Sequence, residues 1–321
     1  METGVIKMNG KMNEIIKKGL IVNTEDLDLK KNHGIYIKIA IISETTGFLI
    51  SRNNEPTELT SENLGGDERA IIPAQKWRAA ERSYLLSEMR KLSGAIPTDY
   101  SRNMNKKKSL LKNPSSLLFG DSSIGGGADM GSIASRCYYD WAYSFEPLGE
   151  ISTRLTHNTL AEDGTILHSL EGKTESNAIY NTPYIKPGVK FVRFVTLENC
   201  SVELLELELM AIMGTTRYGA RTAILGDNVS NKIVCIGFSK GEKAISSFSE
   251  LSKSWESGEY DPENDVLNSM KGAYGENIVF GEDLDSLLSE TASIKTNNER
   301  FTSICEILIT KMENDWKEFW K

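Results

Sequence analysis

Two arginines flank a tyrosine in the stretch 213–226, Met-Gly-Thr-Thr-Arg-Tyr-Gly-Ala-Arg-Thr-Ala-Ile-Leu-Gly. The guanidinium forks of Arg217 and Arg221 suit phosphate oxygens two at a time. The hydroxyls of Thr215, Thr216 and Thr222 add hydrogen bonds, and Tyr218 offers a ring face for a base. Gly219 and Gly226 allow a partner to come close to the backbone. The same residues also suit a plain polar loop whose arginines are solvated or paired to carboxylates.

Other groups point the same way, each beside a plainer reading. Gly125, Gly126, Gly127 and Gly131, with Ser122, Ser123 and Ser132, form a loop rich in amides that runs into Ser135 and Arg136. It lacks the Gly-Lys-Ser/Thr ending of a P-loop and the Gly-x-Gly-x-x-Gly of a dinucleotide turn. It is either a surface loop or one that approaches a nucleic-acid backbone. No base–nucleophile pair accompanies it, which speaks against an enzyme acting on a phosphate ligand. Arg102, Lys106, Lys107, Lys108 and Lys112 form a basic run with no acid between them, either solvated or touching phosphate. Asp121, Asp129 and Asp163 are loop acids that suit turn caps, or a divalent metal for strand cutting.

The bulk numbers fit such a binder. The chain has 321 residues, 39% hydrophobic and 26% charged, with a net charge of −8. The acidity is local: residues 241–321 hold 17 acidic and 8 basic side chains, leaving 28 against 29 in the first 240. The four cysteines, Cys137, Cys200, Cys235 and Cys305, are scattered and argue for a reducing, cytoplasmic setting without a zinc knuckle. His33, His157 and His168 are too few and too spread for a metal cluster. No metal, other cofactor or catalytic residue is expected, and neither is a membrane span or signal peptide.

Elements to position these groups are legible in the patterning. Four strands are expected, at Ile35–Ile42, Cys137–Phe145, Phe191–Leu197 and Lys232–Phe238. Phe48–Ser51 is a candidate hairpin partner of the first, and residues 52–68 read as a loop. Pro73 opens a helix over Ala74–Leu92, with Trp77, Leu85, Met89 and Leu92 inward and Gln75, Lys76, Arg78 and Arg82 outward. A second helix runs from Val202 to Met213, with Gly214 as its cap. Ile151–Thr156 and Thr165–Leu170 flank the turn Ala161-Glu-Asp-Gly164 and form a projecting arm carrying Arg154, His157 and His168. Acidic helices at Glu242–Trp255, Asp283–Ser293 and Asn298 onward follow, the last docking Trp316, Phe319 and Trp320 on the chain itself.

The fold class is therefore α+β: a ferredoxin-like, RNA-recognition-type palm with large insertions, a thumb-like hairpin and C-terminal helices. Residues 1–34 lead into it, 35–240 form the palm, and 241–321 form the acidic helical region. The palm carries a helical insertion at about 52–134 and a thumb arm at about 148–188.

Several segments in order resemble one family. They are Gly34-Ile-Tyr-Ile-Lys-Ile39, Asn113-Pro-Ser-Ser-Leu-Leu-Phe-Gly120, Ser135-Arg-Cys-Tyr-Tyr-Asp-Trp-Ala-Tyr-Ser144, Lys186-Pro-Gly188, Val195-Thr-Leu197 and Thr216-Arg-Tyr-Gly-Ala-Arg-Thr222. Together they resemble the repeating backbone subunit of type I-D CRISPR effector (Cascade-like) complexes, in the repeat-associated RNA-binding superfamily. The resemblance implies sequence-independent binding of the guide portion of CRISPR RNA (crRNA) and a head-to-tail filament of copies. It also implies partnership with other effector subunits and presentation of the guide to target nucleic acid, expected to be DNA. Carried over by position, Thr216, Arg217, Tyr218, Gly219, Arg221 and Thr222 hold RNA. Gly125, Gly126, Gly127, Ser135 and Arg136 lie near the same groove, with Lys76 and Arg78 as further contacts. Arg154, His157 and His168 belong to the thumb that meets the next copy. Some relatives carry a cysteine zinc site where this chain has Asn113-Pro-Ser-Ser, so zinc is not expected there. The alternative is a backbone subunit that also cuts the target strand with a loop aspartate.

Overall fold

A computed structural model describes residues 10–52, 57–123, 130–158, 179–257 and 260–321. β1 (Ile35–Thr45) lies at its centre, because Ile37, Ile39 and Ile41 bury on one face while Ala40 and Ile42 bury on the other. β10 (Lys190–Glu198) and β11 (Val229–Lys240) flank it, both antiparallel. β6 (Cys137–Tyr139) and β7 (Ala142–Ser144) pair with β10. In order of the four expected strands, the sheet therefore reads fourth, first, third, second, the ferredoxin-like arrangement. The second strand is broken at Asp140 and Trp141.

The helices that follow the first and third strands, α2 (Ala74–Met89) and α5 (Val202–Gly214), pack together on one face. Trp77, Leu85, Met89 and Leu92 are buried as the spacing predicts. Ser201 caps α5 by accepting from the Leu204 amide at 3.4 Å. α1 (Gly10–Lys17) adds Met12 and Ile15 to the same core. So do α9 (Glu282–Thr296) and α10 (Asn298–Asp315), through residues such as Leu284 and Phe301. The segments before residue 35 and after 240 thus share one core with the palm.

Several expectations are corrected. Residues 52–68 are not all loop: β2 (Ser61–Leu64) and β3 (Asp67–Ile72) form a hairpin. It turns on Gly65 and Gly66, both at positive φ. β3 continues the main sheet through β7, so part of the expected insertion is sheet. Phe48–Ser51 does not return along β1; Leu49 bridges to Ile185 instead. The arm is β8 (Ser152–Asn158) against β9 (Ile179–Ile185), while the expected turn at 161–164 and strand at 165–170 lie outside the described residues. The first C-terminal helix starts later, as α7 (Ser247–Ser257), and α8 (Pro262–Tyr274) was not foreseen. Val266, Met270 and Tyr274 of α8 cover Ala40, Ile42, Val192, Phe194 and Cys235 on the sheet face opposite α2 and α5. Both faces of the central strands are thereby buried, which leaves neither face of these strands open to a ligand. Among the described residues no helix is long and apolar enough to cross a membrane.

Candidate nucleic-acid interface

The stretch after α5 is anchored from within. Gly214 is the last helical residue, not a left-handed cap; a Cβ there would stand 2.1 Å from the Tyr84 ring, which explains the glycine. Tyr218 turns inward, against the expectation that its ring faces a base. It is 1% exposed, packs edge-on to Trp77 at 4.8 Å, and its hydroxyl donates to Glu81 Oε1 at 2.7 Å. Asn231 Nδ2 donates to the same hydroxyl at 2.8 Å. Arg193 donates to Glu81 at 2.5 Å and to Ser43 Oγ at 2.8 Å, and lies over Trp77 at 4.6 Å. Asn228 brackets the Tyr218 peptide, accepting from its N–H at 2.9 Å and donating to its carbonyl at 3.0 Å. The loop thus adds a second donor to the Oε1 that Arg193 holds, while Glu81 Oε2 and Arg193 Nη1 stay buried without a hydrogen bond among the described residues. None of Glu81, Arg193, Asn228 or Asn231 was singled out from sequence.

With Tyr218 inward, Arg217 is directed outward. Its Nε donates to Asp227 Oδ1 at 3.1 Å, but both side chains are about two-thirds exposed (67% and 69%), so the pair is weak and open to competition by phosphate. Arg221 takes the left-handed conformation, φ 57°, at the start of α6 (Thr222–Leu225), and its Nη1 reaches Thr182 Oγ1 on β9 at 3.4 Å. Gly219 has φ +81°, and a Cβ would lie 2.4 Å from the Ile50 carbonyl. Only glycine lets the chain pass there.

Arg52, Lys76, Arg217, Gly219, Ala220 and Thr222 line a cleft of about 370 Å³. Lys76 Nζ donates to the Arg52 carbonyl at 2.6 Å and to Ser51 Oγ at 3.2 Å. Burial first, and then the Arg52 charge, push its ammonium down to about 8. The cleft therefore gathers several cations and holds one of them partly desolvated, a cost that an incoming anion would relieve. Arg52 was missed; its only signal was a basic residue entering a polar stretch.

The other expected contacts lie elsewhere. Arg78 donates to the Phe119 carbonyl and lies over that ring at 5.8 Å, so it packs rather than faces the cleft. Arg82, expected outward, is buried on Asp121 at 2.9 Å. Ser135 donates to the Cys137 carbonyl at 2.7 Å, and Arg136 to the Asn199 carbonyl at 2.6 Å. These two sit where Tyr36 pairs with Glu198, whereas the cleft lies past the end where Thr45 pairs with Val229. Neither Ser135 nor Arg136 is among the residues lining the cleft, so they do not share it as expected. Gly125, Gly126, Gly127, Asp129, Asp163 and His168 are outside the described residues. Arg154 is exposed on β8, and His157 Nε2 meets the Tyr184 hydroxyl at 2.7 Å.

Within the basic run only Lys106 is buried, Lys107 is exposed, and three of the lysines meet groups of the chain itself. Lys106 is buried on Asp121 at 3.1 Å, Lys108 lies over Phe319, and Lys112 pairs with Glu313 at 3.0 Å while lying over Trp320. It holds the chain's own C-terminal helices in place of phosphate. Asp121 is equally occupied: it accepts from Arg82, from Tyr100 at 2.5 Å, from Ser116 at 3.1 Å and from Lys106. Asn113 caps α3 (Pro114–Phe119), accepting from the Ser116 amide at 2.9 Å.

A family model described as Csc2 Crispr matches residues 22–305. The chain belongs to the Csc2 CRISPR family. Membership makes it a backbone subunit of a CRISPR effector complex. A crystal structure of Thermofilum pendens Csc2 is similar with a TM-score of 0.59 and 14% identity, over 92% of this chain and 94% of that one. A chain of a CRISPR RNA-guided surveillance complex, pre-nicking, is similar with a TM-score of 0.51 and 11% identity, over 82% of this chain and 100% of that one. At these identities the likeness speaks for the shared fold. No curated protein matches the sequence.

Proposed function

We propose that this member of the family grips the guide portion of crRNA through the cleft of Arg52, Lys76, Arg217 and Thr222, with Arg221 beside it at the start of α6. Copies stack head-to-tail along the strand and present it to target nucleic acid, in a complex of type I-D. The observation that carries the reading is the convergence of Arg52, Lys76 and Arg217 around a cleft floored by the Gly219–Ala220 backbone. Such a site holds phosphate and sugar without reading bases, as a variable guide requires. Each copy can bind weakly, because neighbours on one strand raise each other's effective concentration.

The contribution of this subunit is binding, with cutting left to other components. The oxygens of Asp121 are taken up by Arg82, Tyr100, Ser116 and Lys106, which leaves them poorly placed to ligate a metal. Purification of the chain from cells expressing a CRISPR array tests the proposal. RNA of guide length carrying several copies is the expected result; a chain free of RNA, or bound to RNA of every length, would refute it.

A further inference from the structure

At the other end of the sheet lies a second pocket, of about 430 Å³. Tyr138 from β6, Trp316 and Phe319 from the C-terminal segment, and Lys30, Lys31 and Arg136 are among its lining. Tyr138 is 48% exposed, although aromatic rings usually bury when the fold can cover them. Trp316 and Phe319 stand edge-on, 6.2 Å between centroids. Lys31 is held near the rim by Asp28 at 3.2 Å, with its side chain 74% exposed. Arg136 is fixed by the Asn199 and Leu29 carbonyls, so its charge stays in place without a carboxylate partner. Glu198 also lines the pocket, accepting from Asn32 at 2.7 Å and from the Tyr36 hydroxyl at 3.2 Å.

The mixture has a direction. A purely apolar peptide would make no use of the charges of Lys30, Lys31, Arg136 and Glu198. A free phosphate would leave three aromatic rings unused and would meet the Glu198 charge. A nucleotide can use the rings and the charges together: rings for the base, Glu198 as acceptor for a base N–H, and Lys30 and Lys31 for the phosphate. The volume is within the range of small-molecule sites.

We infer that this pocket holds one unpaired nucleotide of single-stranded nucleic acid, its base against Tyr138, Trp316 and Phe319 and its phosphate toward Lys30 and Lys31. The inference rests on the reading that the chain carries single-stranded nucleic acid, and it adds a second point of grip with a lining separate from the first. It also gives Ser135 and Arg136 a place in binding that the Arg217 cleft does not.

Photo-crosslinking of the full chain tests it, using a single-stranded RNA with 5-iodouridine and a matching DNA with 5-iododeoxyuridine. Adducts on Tyr138, Trp316 or Phe319 are expected, and the strand that gives them identifies the source of the nucleotide. Lys30→Glu with Lys31→Glu, both at exposed positions, should lower these adducts about fivefold or more and leave adducts near Arg217 intact. Wild-type chain that binds either strand without an adduct here, or adducts indifferent to the lysine change, would overturn this site alone. Failure of the wild type to bind either strand would overturn both this site and the crRNA reading.

Discussion

The hydroxyl of Tyr218 donates to Oε1 of Glu81 at 2.7 Å, tying the loop after α5 to a helix 137 residues earlier. Glu81 also receives Arg193, and Asn231 closes the circuit from β11. The loop presents Arg217 outward because its neighbour is held inward. The phenol is thus an anchor, and Tyr218→Phe separates that role from stacking. Phenylalanine keeps a ring face but removes the hydrogen bond to the Glu81 carboxylate, which Arg193 alone then holds, at a cost of about 1.5–3 kcal/mol. Denaturant unfolding should show that loss. Unchanged stability would return the ring to a ligand-facing role.

Lys76 makes the grip sensitive to pH. Its ammonium is pushed down to about 8 from the ordinary 10.5, so it is charged below that point and neutral above it. Affinity for single-stranded RNA should therefore weaken as pH rises from 7 to 9, and binding near pH 8 should take up protons, because a nearby phosphate favours the charged form. Lys76→Arg, always charged, should abolish the decline. Titrations of the two proteins by fluorescence polarisation decide the matter; the same decline in both would exclude Lys76 as its source.

Asp121 is expected to fail as a cutting residue and to matter as a structural one. Its carboxylate joins Arg82 and Lys106, whose side chains are 7% and 4% exposed. Burial opposes its charge, but the Tyr100 hydrogen bond and Arg82 hold its ionisation below the usual value of 3.8. Its stabilising effect is then complete above that value and is lost only in more acidic solution. Asp121→Ala strands two buried cations and should cost about 3–5 kcal/mol. A variant of wild-type stability that lost a metal-dependent cutting activity would reverse the assignment.

Much of this architecture is legible in the sequence. The β-branched run at Ile35–Ile42 marks a strand buried on both faces, and Ser201 before Val202 marks a helix start. The hairpin of β2 and β3 was hidden because its strands are polar and half exposed; Gly65-Gly66 was the available signal. Asp261-Pro262, a cap followed by proline at the first turn, equally announced α8. The direction of Tyr218 was not legible. Facing in a loop is decided by distant partners, here Glu81, Arg193 and Asn231, and nothing near residue 218 identifies them. The separation of Arg136 from Arg217 likewise depends on sheet register, which motif order does not give. Lys106 and Lys112 look like a solvated run, yet Asp121 takes the first and Glu313 of α10 the second, partners that lie outside the run.

The central claim is that Arg217 and Arg221 hold the backbone of a single strand whatever its sequence. Replacing both with alanine and measuring RNA affinity across salt concentrations, for several unrelated sequences, tests it most directly. Affinity should fall alike for every sequence, and the slope of log affinity against log salt should flatten by about 0.7 for each phosphate the variant no longer neutralises. Affinity and slope equal to wild type would contradict the account.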